Sequence, residues 1–129
     1  EESHCYICKR MDDTYRRMVD TFVYQVKHEL EFVDMVKASK GFCVHHFADL
    51  VEACGEGLSQ KEQEQLFPVL FDQMNRELDR MQGDIDWMIE KFDYVNKDKD
   101  WKNSKDAVQR TMQKIVGGYP ADPVFRDKK

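Results

Sequence analysis

From Phe67 to Val95 the chain places an apolar side chain at alternating intervals of four and three residues: Phe67, Phe71, Met74, Leu78, Met81, Ile85, Met88, Phe92 and Val95. A sustained seven-residue repeat suits a helix and not a strand, whose apolar period is two. It predicts one helix roughly 42 Å long. Pro68 should open that helix or kink it. Gly83 costs about 1 kcal/mol of helix propensity relative to alanine, so packing must hold the segment. The seam has two uses. It can pack inside a local bundle, or it can pair with a protein partner or a second copy through the Phe67–Val95 face, because Met and Phe surfaces adapt to what covers them.

The rest of the chain reads as shorter helices, with no convincing strand. The first helical region runs from about Ile7 to Lys27, with Met11, Tyr15, Met18, Phe22 and Val26 as its expected inner stripe and Val19 and Val23 beside it. A second piece follows over about Glu29–Ser39 with Leu30, Val33 and Val36, and Gly41 is the expected stop. A helix from near Cys43 to Cys54 would bury Val44, Phe47, Ala48, Val51 and Cys54. Ser59 and Glu62 have the spacing of a capping box. DYVNKDKDWKNS reads as a solvated loop. A last helix, capped by Asn103 or Ser104, runs to Val116 with Ala107, Val108, Thr111, Met112 and Ile115 on one side. Gly117 and Gly118 end it, and the two-proline tail is expected to be extended. The expected fold is all-α: a single domain over residues 1–129, an antiparallel helical bundle with one long heptad-patterned helix.

Composition narrows the function. Charged residues make up 35% and apolar residues 41% of 129 residues, which suits a helical domain with a highly charged surface. Net charge is −5, and Lys and Arg are interleaved with Asp and Glu, so neither nucleic acid nor an anionic membrane is an expected partner. No apolar run approaches the ~20 residues a membrane span needs. A cytoplasmic location is expected. Glu1 rather than Met opens the sequence, which points to a processed chain or a piece of a longer one.

Chemistry concentrates in two short stretches. Cys5-x-x-Cys8 puts two thiols at a helix start, and Cys43-x-x-His46 puts a thiol and an imidazole at another. Together they form a Cys3His set, a common donor set for structural zinc. Helix N-termini favour thiolates, and Lys9 or Arg10 could offset the residual negative charge. One unbroken helix from Cys8 to Cys43 would hold the pairs roughly 50 Å apart, so a shared metal requires a reversal. KHEL, at positions 27–30, is where the apolar phase is loosest and the bend is expected. The bland alternatives are a Cys5–Cys8 dithiol and unliganded cysteines; an iron–sulfur cluster or haem fits less well. Cys54 reads as a buried small apolar residue. His45 is the spare ligand if the register shifts and His4, beside Cys5, is a similar one, while His28 reads as a surface or bend residue. No nucleophilic triad, phosphate-binding glycine loop or HExxH helix is present, and Asp84 and Asp86 look solvated. Catalysis is not expected.

At CYIC, GFCVHHF and NSKDAVQRTMQKIVGGYPADPVF the sequence resembles an uncharacterised bacterial family, found mostly in anaerobic Firmicutes and known as a domain of unknown function. Its pattern is a Cys-x-x-Cys, a Gly-Phe-Cys-x-x-His, a long helix ending in Lys-Phe-Asp-Tyr, a Trp-to-Asp run and a terminal helix. Here these fall at Cys5 and Cys8; Gly41, Phe42, Cys43 and His46; Lys91 to Tyr94; and Trp101 to Asp106. The resemblance implies that full members are about twice this length and that this chain is the C-terminal half. It selects His46 over His45 and supplies no activity. The expectation is a non-catalytic domain stapled by one structural zinc on Cys5, Cys8, Cys43 and His46, serving as scaffold or interaction module. The alternatives are a Cys-x-x-Cys redox protein and a metal or redox sensor.

Overall fold

The structure is a computed structural model and describes residues 5–117. His4, Gly118 and the two-proline tail, each assigned a place above, lie outside the described residues. Within them the chain is an all-α helical bundle without strands: α1 (Tyr6–His28), α2 (Leu30–Ala38), α3 (Val44–Gly57), α4 (Gln60–Glu90), a short 3-10 turn at Tyr94–Asn96, and α5 (Ala107–Val116). No helix is long and apolar enough to cross a membrane. The contacts divide the chain into two compact units, one of Glu1–Gly41 with Phe47–Gln73 and one of Phe42–His46 with Met74–Lys129.

The first unit has an aliphatic core of Phe22, Val36, Leu50, Cys54, Leu58, Leu66 and Leu70. The break between α1 and α2 falls inside KHEL, at Glu29, whose backbone is extended (φ −123°, ψ 102°). On a continuous helix residues 22 and 32 would lie about 15 Å apart. Instead the Phe22 and Phe32 rings meet edge to face, centroids 5.2 Å apart, so the chain bends at Glu29. The inner stripe of α1 is rotated from the expected one. Phe22 is buried and Tyr15, Val19, Val23 and Val26 are half-buried, while Met11 and Met18 face out. The Tyr15 hydroxyl donates to Asp49 Oδ2 at 2.7 Å. The helix α3 also runs further than its glycines suggested, and Leu50, not Val44 or Ala48, fills its inner face. Gly57 lies within it because α1 passes close: a Cβ there would sit 2.8 Å from Val23 Cγ1.

Two polar devices finish this unit. Ser59 and Glu62 form the expected capping box, with the Ser59 amide 2.7 Å from Glu62 Oε2. Gln73, almost fully buried, turns its Nε2 to the Val36 carbonyl and to the Ser39 carbonyl and hydroxyl, the latter two at 3.0 and 2.8 Å. It thereby adds a buried donor at the C-terminal end of α2, where the Ser39 amide and hydroxyl also meet the Val36 carbonyl. Pro68 lies well inside α4 and does not open it.

In the second unit the buried surface is largely polar. Met74, Met81 and Ala107 share the interior with Glu77, Lys91, Ser104 and Lys114. Glu77 pairs with Arg80 at 2.8 Å, Arg80 with Asp84 at 3.5 Å, Asp84 with Arg110 at 2.9 Å, and Arg110 with Asp106 at 3.0 Å. Asp84, read as solvated, is thus held between two arginines. The helix α5 buries Ala107 and half-buries Thr111, as expected, but it turns Arg110 and Lys114 inward and leaves Val108, Met112 and Ile115 exposed, so the inner face is rotated from the expected one. Gly117 ends it in the left-handed region (φ 79°).

The segment after α4 is organised, not simply solvated. The Lys91 ammonium is buried and donates to the carbonyls of Asn96 and Lys97, both at 2.8 Å, and to that of Lys99. It lies 5.1 Å from the centroid of the Trp101 ring. Trp87 Nε1 donates to the Asp100 carbonyl at 3.1 Å, and Lys102 covers the Trp87 ring at 3.9 Å. Asp93 caps the 3-10 turn through the Val95 amide.

Candidate functional site

Cys5 stands at the N-cap of α1 and Cys8 on its first turn. Both are free and exposed. The first amides of a helix have no partner within it, and they point back at the cap position. The Cys5 sulfur closes no full cap hydrogen bond. The Cys8 and Ile7 amides and the Cys8 thiol nevertheless face it closely enough to pull its pKa below the usual thiol value. The two sulfurs of the Cys-x-x-Cys turn are therefore neighbours, and one is predisposed to ionise.

The second pair is arranged the same way. Cys43 precedes α3, and its sulfur accepts the His46 amide at 3.4 Å. Cys43 is half-buried, and the His45 and His46 side chains are both exposed. The sulfur lies against the end of α5, since a Cβ on Gly117 would stand 3.4 Å from it. Burial pushes the Lys114 pKa down, opposed by the nearby Glu77 and Cys43, so a buried ammonium shares this corner with the thiol. Sequence reasoning placed the compensating charge on Lys9 or Arg10. Lys114 was missed because on the linear pattern it belongs to the polar side of an amphipathic helix, and nothing local marks that side as the buried one.

The structure thus brings Cys5 to Cys8 and Cys43 to His46. Among the described residues no group of three or more His, Cys, Asp or Glu side chains is gathered as a metal cluster. Cys54 is fully buried among apolar side chains, and burial pushes its thiol up to about 11. It belongs to the core and to neither pair.

A family model described as a family of unknown function, DUF6062, matches residues 1–122. The chain belongs to DUF6062. No curated protein and no solved structure matches it. The DUF6062 match spans both cysteine pairs, the Lys91 segment and α5.

Proposed function

We propose that this DUF6062 chain is a non-catalytic helical scaffold that binds one structural zinc ion through Cys5, Cys8, Cys43 and His46. The observation that supports the reading is the placement of the two pairs, each at the start of a helix, with the Cys8 amide and thiol facing the Cys5 sulfur and the His46 amide facing the Cys43 sulfur. Zinc favours this set of three thiolates and an imidazole, and four protein ligands leave no open position for catalysis. In this reading the metal itself completes the set of four. It lies in the cytoplasm, where reduced thiols persist and zinc takes them in place of a disulfide.

Elemental analysis of protein purified without added zinc tests the proposal. About one zinc per chain is expected, lost in Cys5→Ser/Cys8→Ser and in Cys43→Ser/His46→Ala alike. Metal-free protein whose melting temperature ignores a strong chelator would overturn it.

A second reading, a dithiol redox protein, is favoured by one observation: Cys5 is exposed and its thiolate is stabilised by the Cys8 and Ile7 amides. Thiol titration with and without chelator separates the two. Zinc-held thiols react only after the metal is removed, whereas a dithiol reacts at once and is lost on mild oxidation.

A further inference from the structure

The outer face of α1 has its own repeat. Ile7, Met11, Thr14, Met18, Thr21 and Gln25 step by four and three, and Met11 and Met18 are 67% and 65% exposed. The two threonines are less polar than they look. Their hydroxyls bond back to the carbonyls of Arg10 and Arg17, at 2.8 and 2.7 Å, which leaves their methyls outward. Two shallow grooves, of about 580 and 350 Å³, run along this seam and share Thr14 and Met18. Arg10 and Arg17 border it, one residue before each methionine, and neither has an ion pair among the described residues.

A complementary seam lies on α4. Phe71, Asn75, Leu78, Gln82, Ile85 and Ile89 take the same four-and-three steps, with Phe71, Leu78 and Ile89 exposed and Ile85 half-buried. Asp72, Asp79 and Asp86 border it, one residue after Phe71, Leu78 and Ile85, all exposed and unpaired among the described residues. Both seams run ~27 Å. In a parallel helix pair, the residue before one seam position of the first helix meets the residue after the other seam position of its partner. Arginines occupy the first kind of place on α1 and aspartates the second kind on α4, at a shared spacing of seven.

We propose that a second copy of this chain docks here, α1 of one copy lying parallel along α4 of the other. The register that pairs Arg10 with Asp79 and Arg17 with Asp86 sets Ile7 against Phe71, Thr14 against Leu78 and Thr21 against Ile85. A parallel α1–α1 pair would set Arg10 and Arg17 against Tyr15 and Phe22, with no opposite charge to meet, so the acidic-edged α4 is the matched partner. Asn75, Gln82 and Gln25 within the seams keep the association reversible.

Sedimentation velocity over a dilution series tests it. The wild-type mass should rise with concentration and fall back as salt is added. Arg10→Glu/Arg17→Glu and Asp79→Lys/Asp86→Lys should each weaken association at least about tenfold. An equal mixture of the two should recover it, because an acidic α1 then meets a basic α4. Circular dichroism melts show that both variants are folded, and Arg10→Gln/Arg17→Gln serves if charge reversal unfolds the chain. A wild type that stays monomeric at every concentration overturns the proposal, as do folded variants that fail to recombine when mixed.

Discussion

Lys91 buries a full charge in a place where the sequence offers only a loop. Its ammonium has three carbonyls and a tryptophan face in place of water. Removing it leaves those carbonyls turned inward with no donor, and unmade buried hydrogen bonds cost more than made ones return. Lys91→Met should therefore lose about 3 kcal/mol in urea unfolding, although methionine is the better apolar match. The thiol of Cys54 gives a prediction in pH. Its folded pKa, about 11, lies above the ordinary 9.0, so above pH 9 the unfolded chain releases a proton that the folded chain keeps. Stability is unaffected below that range and falls as the pH climbs from 9 towards 11, by at most about 3 kcal/mol. Cys54→Ala should flatten that part of the stability profile. Neither residue's role was legible in full. Cys54 could be placed in the core because it shares a face with Val51. Lys91 could not be placed there, because its partners are backbone atoms of a segment with no periodicity to read.

At the scale of elements, helical type was legible nearly throughout and the inward faces were not. The reason is visible in α1 and α4. Each has apolar residues on more than one face, so a four-and-three pattern can be drawn through Met11 and Met18 or through Tyr15, Val19, Phe22 and Val26. Only packing chooses between them. On α4 the buried line passes through Leu66, Leu70, Gln73, Glu77 and Met81, and two polar members hide it from an apolar count. The capping box was legible because it is local. Ser59→Ala should cost about 1 kcal/mol. Because Ser59 holds the Glu62 pKa down, the stability Glu62 contributes is present above the ordinary carboxylate range and is lost as pH falls through it. The Ser59 amide is the larger cause and alanine keeps it, so Ser59→Ala, which removes only the hydroxyl, should make the acid side of the stability profile slightly shallower. The close pass of α1 over α3 gives a third case. Gly57→Ala gains helix propensity but drives a methyl against the stiff Val23 side chain. A net loss of between about 1 and 3 kcal/mol is expected in thermal or urea unfolding.

At the scale of the molecule, the helix break inside KHEL was legible because the apolar phase is loosest there. If zinc is held as proposed, stripping it should lower the melting temperature by several degrees without abolishing the fold, since both units have interiors of their own. Those interiors differ in kind. One is packed with leucines and aromatic rings, and the other is threaded by Glu77, Asp84, Arg80, Arg110 and two lysines. Taking one arginine out of such a chain strands the carboxylates beside it, whereas aliphatic packing depends on no single partner. In Arg110→Met, amide hydrogen exchange should therefore quicken first along Met74–Glu90 and α5 while the amides of Phe47–Leu58 stay protected, so that a single lost partner loosens one half of the chain and leaves the other closed.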